Sequence, residues 1–173
     1  NENFFSILGH LDTLFALKYQ NRNFNKLSQK GHCDYPRLFE SNVNSALFAI
    51  YPAKSQYNII HGLDQWFNYV DDSKNKITQI INIEDIEKTQ ETTNIGAILH
   101  IEGAGGLDSE FELLRLARKL GLRSMGITHA NVNRYATGFL FRGPQVDRGL
   151  TKEGEDLVGE VQDLGITIDV SHL

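Results

Sequence analysis

A single cysteine, Cys33, stands in 173 residues, which excludes an internal disulfide and any cysteine-rich zinc module. A buried or incidental thiol is the reading that fits it. Long apolar runs are missing too. No stretch is apolar for long enough to span a bilayer, and no basic-then-apolar leader precedes a cleavage site. Nor is there an excess of basic residues: Lys and Arg number 17 against 22 Asp and Glu, a formal net charge of −5. The two signs are mixed along the chain, so the electrostatic footprint of a nucleic-acid-binding protein is absent. No internal repeat or low-complexity stretch interrupts the sequence. What is present, 40% hydrophobic and 23% charged residues, is the composition of one globular domain. A cytoplasmic setting fits these features.

Apolar patterning predicts five strands, at 4–9, 45–51, 95–101, 123–128 and 166–170. The third and fifth are rich in Ile, Leu and Val, as expected of strands covered on both faces. Helical patterns lie between them. Ile59, Ile60, Leu63, Trp66, Phe67 and Val70 recur at spacings of three and four. Ser109 and Glu112 have the spacing of a capping box ahead of a second apolar stripe, and Gly121 supplies its stop. Thr151 is the expected N-cap of a third helix that Gly165 ends. The alternation belongs to a parallel α/β sheet. One irregularity is the ITQII segment at 77–81, followed by a short helix or extended connector over 83–90. Residues 71–76 read as a solvated turn. The longest non-periodic piece runs from Ala130 to Gly149, and a loop of that length inside a compact domain is more often functional than accidental.

The strand ends carry the polar chemistry. The first delivers His10 and Asp12, the third His100 and Glu102, the fourth Thr128 and His129, the fifth Asp169, Ser171 and His172. In a parallel barrel the carboxyl ends of different strands converge on one face, and imidazoles with carboxylates are ligands for a divalent ion. Residues two apart on a strand share a face, about 6–7 Å apart. Glu102 has two oxygens and can join two ions; paired ions about 3.5–4 Å apart recur in hydrolytic sites. Gly9 and Gly103 leave room for close backbone approach. Each residue also has an ordinary reading. A strand-end His is commonly hydrogen-bonded structure, Glu102 can be a turn residue, Asp169 can cap the turn after the fifth strand, and His100 can be core or a support for ligands. His32 and His61 have no such company and read as surface residues.

Four segments resemble the membrane (renal) dipeptidase family of zinc metallopeptidases. They are Gly9-His10-Leu11-Asp12; Ile101-Glu102-Gly103; Gly121-Leu122-Arg123 with Ile127-Thr128-His129-Ala130-Asn131; and Gly149-Leu150-Thr151 through Gly154 to Ile168-Asp169-Val170-Ser171-His172. The resemblance implies a TIM-type (β/α)8 barrel that hydrolyses dipeptides with two divalent ions, usually Zn2+, and it suggests a homodimer. It implies that His10 and Asp12 hold the first ion, that Glu102 bridges the two, and that His172 is a ligand of the second. It makes His129 a substrate-binding residue that meets the substrate or the oxyanion. Arg134, Tyr135 and Arg142, in the long loop, are candidates to meet a carboxylate. Leu8 stands where the family carries an acidic residue. Such a barrel takes about 250 residues, so this chain supplies about the first five strands. The family pattern continues with a second histidine for the second ion, an arginine and a late aspartate, none of which falls within these residues. Two other readings stay open: a truncated, non-catalytic binding module, and an amidohydrolase-like enzyme acting on another amide or ester.

Overall fold

The structure, a computed structural model, describes residues 4–72, 76–140 and 149–173. Parallel strands run in the order β1 (Ile7–Leu11), β2 (Ser45–Ile50), β4 (Ile95–Glu102), β5 (Leu122–Gly126) and β6 (Thr167–Asp169). A short β3 (Ile77–Gln79) pairs with the beginning of β4, and β5 pairs with the end of that strand. The helices are α1 (Thr13–Gln20), α2 (Tyr35–Glu40), α3 (Gln56–Asp72), α4 (Ile83–Gln90), α5 (Glu112–Lys119) and α6 (Lys152–Asp163).

β4 lies at the centre, and its sequence shows why. Ile95, Ala97, Leu99 and Ile101 are 0–2% exposed, while its other face carries Gly96, His100 and Glu102, also buried. Phe48 and Ile50 of β2 meet Ile59, Leu63 and Trp66 of α3 in the core. Leu113, Leu114 and Ala117 of α5 and Leu157 and Val161 of α6 extend that core. Each large aliphatic or aromatic side chain so buried contributes about 1.5–3 kcal/mol.

The sheet is strongly curled. β1 and β6 stand four strand positions apart, which in a flat sheet is about 19 Å at the usual spacing. Yet ligand atoms of His10, His100 and Asp169 lie within 4.8 Å of one another. Only a sheet bent as a sector of a barrel brings its two edges so close.

Several boundaries differ from the sequence pattern. The first strand begins at Ile7 rather than residue 4, because pairing starts where Ser6 meets Asn44 and Ser45. The Ser6 amide donates to Asn44 Oδ1 at 2.8 Å, and the Ser45 amide donates to the Ser6 carbonyl at 3.1 Å. His10 therefore sits on the strand, and Asp12 is the N-cap of α1. Helices α1 and α2 occupy a stretch to which the sequence pattern assigns nothing. The ITQII segment supplies β3 with its first three residues, and 83–90 is helical, started by a reciprocal capping box between Asn82 and Asp85. The expected Ser109–Glu112 box does not form. Asp108 accepts from the amides of Glu112 and Leu113, both at 2.8 Å, and one carboxylate satisfying two free amides leaves Ser109 no role. Thr151 does cap α6, accepting from the Gly154 amide at 3.0 Å. Gly121 and Gly165 have the left-handed backbone expected of helix stops.

Candidate metal and active site

His10, Asp12, Glu102, His129, Asp169, Ser171 and His172 line one cleft of about 950 Å³ at the carboxyl ends of the strands, whereas His100 and Thr128 are buried behind it. Glu102, the last residue of β4, is at its centre, with its side chain 8% exposed. Its Oε1 lies 3.1 Å from His172 Nε2 and 3.7 Å from His129 Nε2. Its Oε2 lies 3.7 Å from His10 Nε2, which is also 3.4 Å from Asp12 Oδ1.

The backbone sets these positions. Gly126 pairs in register with Glu102 on one side and Asp169 on the other. Having no side chain, it leaves the space between those two carboxylates open. Gly103 has φ +98°, and a Cβ there would stand 3.4 Å from the His129 amide nitrogen, so the chain turns beneath His129 as only glycine readily allows. Gly9, by contrast, faces open space; the close approach expected there is absent. His172 has φ +67°, and its carbonyl accepts from Thr128 Oγ1 at 2.8 Å and from the Phe139 amide at 3.0 Å. Those two bonds fasten the residue while its ring turns toward Glu102.

His100 is 1% exposed. Its Nδ1 pairs with Ser124 Oγ at 3.0 Å, and its Nε2 lies 3.7 Å from Asp169 Oδ2 with no hydrogen-bond partner. Burial, reinforced by nearby His10, pushes its pKa down to about 4, so the ring is neutral at pH 7. His10 is shifted the other way: the hydrogen bond to Asp12 raises it against the effect of burial, and the same bond lowers Asp12. Burial alone would raise Asp169, but the hydroxyl and amide of Ser171 outweigh it and hold the carboxyl below its ordinary value. Asp169 thus caps its turn, as one reading had it, and faces His100 as well.

Tyr51, which the strand pattern simply takes as the end of β2, is a functional candidate the sequence reading missed. Its ring centre is 4.6 Å from that of His129, and it lines the cleft. The available signal was its place at a strand's carboxyl end, obscured because tyrosine is not a usual metal ligand. Of the loop candidates, Arg134 is engaged with Glu153 at 3.0 and 3.3 Å, and Tyr135 is buried. Arg142 lies outside the described residues, as does part of the 71–76 turn. His32 is exposed; His61 is half-buried, accepting from Lys18 Nζ at 2.8 Å. Cys33 is a half-buried free thiol, and burial raises its pKa.

Among the described residues, three sets could each hold a metal ion: His10 with Asp12 and Glu102; Glu102 with His129 and His172; and His10 with His100 and Asp169. Imidazole nitrogens mixed with carboxylate oxygens suit zinc and similar divalent ions. An unpartnered buried imidazole nitrogen, His100 Nε2, is one more donor turned toward this region. The residues fit a metal centre.

A curled parallel sheet with imidazoles and carboxylates gathered at its carboxyl ends defines a partial (β/α)8 barrel with a metal-type site. The chain belongs to the membrane dipeptidase family, peptidase family M19, whose model matches residues 1–173. A solved dipeptidase described as a metallopeptidase of family M19 superposes with a TM-score of 0.85 at 25% identity, covering 99% of this chain and 57% of that one. An uncharacterized protein from the pqqA 5′ region of Klebsiella pneumoniae is 36% identical over 104 residues, 58% of this chain and 38% of that protein. Dipeptidase aclJ of Aspergillus oryzae is 25% identical over 158 residues, 82% of this chain and 37% of that protein. The chain therefore spans well under two thirds of the length of these relatives. No described helix is long and apolar enough to cross a membrane.

Proposed function

We propose that the protein hydrolyses dipeptides in the cleft centred on Glu102, using two divalent cations, Zn2+ by preference. In this reading His10 and Asp12 hold one ion, His172 holds the other, and Glu102 is shared. The observation that carries the reading is the division of the Glu102 carboxylate. Oε2 faces His10, while Oε1 faces His172 and His129. Membership of the dipeptidase family and the likeness to dipeptidases support it.

When bound, such an ion pair polarises a carbonyl and acidifies water. The chain's own residues do the rest. His129 donates from Nε2 to the substrate oxygen on which negative charge develops, a donor set in place before the reaction. The Tyr51 ring against His129 restrains that donor. Neutral His100, anchored on Ser124, orients His10 and Asp169 without adding charge, as groups behind metal ligands commonly do. Phe139 stacks on His172 with ring centres 5.5 Å apart, which restrains that imidazole.

The test is elemental analysis of the full-length protein beside assays on L,L- and L,D-dipeptides, simple esters and lactams. Two metal equivalents and dipeptide hydrolysis are expected. Hydrolysis of the esters or lactams alone would point to the amidohydrolase-like alternative. A stable protein with at most one ion and no hydrolysis would point to a binding module.

A further inference from the structure

A second cavity of about 380 Å³ opens beside the cleft and joins it at Tyr51, Glu102 and His129. Three loops build it, following β2, β4 and β5, and each is firmly held. Gly106 lies so near Ser55 that a Cβ would stand 2.5 Å from the Ser55 carbonyl oxygen, so the first two loops meet backbone to backbone. Asn133 secures the third: its Nδ2 donates to the Ile127 carbonyl at 2.7 Å, and its Oδ1 accepts from the amides of Tyr135 and Ala136 at 2.8 and 3.1 Å. Ala53, Gly103 and Gly105 leave the interior free of bulk.

The charges of this cavity are unevenly committed. Arg134 is paired with Glu153. Glu102, the one acidic residue among its described lining, is turned to the imidazoles of the cleft. Lys54 is exposed, and the described residues offer it neither a hydrogen bond nor an ion pair. Its backbone runs beside Gly105, where a Cβ would lie 3.9 Å from Lys54 Cα, an ordinary contact distance. A cavity of this volume is at the small end of ligand pockets, large enough for one side chain with water.

We infer that this cavity receives the side chain of one residue of the dipeptide, and that Lys54 selects an acidic side chain there. The inference rests on the dipeptidase reading. An ammonium forms a charge-assisted hydrogen bond with a carboxylate that the neutral amide of equal size cannot match. Because Lys54 is solvated, the preference is modest, about 2- to 5-fold.

The experiment compares kcat/KM of the metal-loaded full-length protein on matched pairs: Asp-Ala with Asn-Ala, and Ala-Asp with Ala-Asn, the second residue in either configuration. One pair should favour the acidic member. Lys54→Arg should keep that ratio, Lys54→Met should bring it near one, and Lys54→Glu should invert it. A ratio near one in the wild type, or one unmoved by Lys54→Met, overturns the inference. So does an equal fall on both members, which would make Lys54 a receptor for the α-carboxylate they share. Dissociation constants for the same pairs, measured calorimetrically on metal-free protein, separate this inference from the dipeptidase reading. A Lys54-dependent acidic preference in binding supports the pocket even if no peptide is cleaved, and its absence there overturns the pocket alone.

Discussion

Glu102 Oε1 stands 3.1 Å from His172 Nε2 although the two residues are 70 positions apart in the chain. With Oε2 turned to His10, this carboxylate faces both the His10–Asp12 side and the His129–His172 side of the cleft. On the proposed two-ion reading, Glu102→Gln should therefore weaken binding of both ions, not one. A loss of metal affinity of about 100-fold or more is expected, beyond the usual effect of removing a supporting residue. Competition with a chromogenic chelator measures it; two ions retained at wild-type affinity would remove Glu102 from the shared position.

Under the proposed function, His129 serves the substrate rather than metal binding. His129→Gln should lower kcat by about 100- to 1,000-fold, the usual effect of losing one donor to an oxyanion, while metal content stays at the wild-type value. Loss of an ion in this variant would reassign His129 as a ligand.

Ser124 is buried beneath His100, its hydroxyl 3.0 Å from Nδ1. Ser124→Ala frees that ring to turn. Metal affinity should fall about 10- to 100-fold with little change in the far-ultraviolet circular dichroism. An unchanged affinity would make the Ser124–His100 pair a matter of packing alone.

Asp85 ties the start of α4. Burial alone would raise its pKa, but the Ile81 and Asn82 amides and the Lys88 ammonium outweigh it and hold the carboxyl below its usual 3.8. A carboxyl depressed on folding stabilises the protein above its unfolded pKa and loses that contribution as pH falls through the folded value. Asp85→Ala should cost about 1–2 kcal/mol at pH 7, and the gap from wild type should narrow in acid below pH about 4. Urea titrations across that range test the sign; a gap that widens in acid contradicts it.

Two glycines of α6 make a matched pair. A Cβ on Gly154 would meet the Tyr135 carbonyl oxygen at 2.1 Å, whereas Gly159 faces open space. Gly159→Ala should stabilise by about 1 kcal/mol through helix propensity. Gly154→Ala should destabilise by about 1–3 kcal/mol through overpacking. Thermal melting of the two variants side by side shows whether the signs differ.

Five of the six described strands and helices α3, α5 and α6 were legible, because Ile, Leu and Val mark buried parallel strands and three-four spacing marks the helices; β3 shows in the sequence only as an irregularity. That His10, Asp12, Glu102, His129 and His172 would meet in one cleft was legible because each lies at or just after a strand's carboxyl end. Helix α1 was not, since Leu14, Phe15, Ala16 and Leu17 follow one another without a stripe. The start of α5 was misplaced because Asp108 and Ser109 are both good caps, and only the backbone conformation at Phe111 decides between them. The support of His100 by Ser124 depends on strand register, which spacing along one chain does not encode. Tyr51 depends on the same convergence and lacks the residue type that attracts notice.

Fastening His172 through its own carbonyl, to Thr128 and Phe139, gives metal affinity a second use. Residues 10, 102 and 172 meet only when the intervening chain is folded, and an unfolded chain would have to close long loops to gather them. Ion binding is then coupled to the native state, and saturating metal should raise the melting temperature in proportion to the logarithm of its excess over Kd. A chelator titration of this protein reads the integrity of the whole curled sheet, including damage far from any ligand.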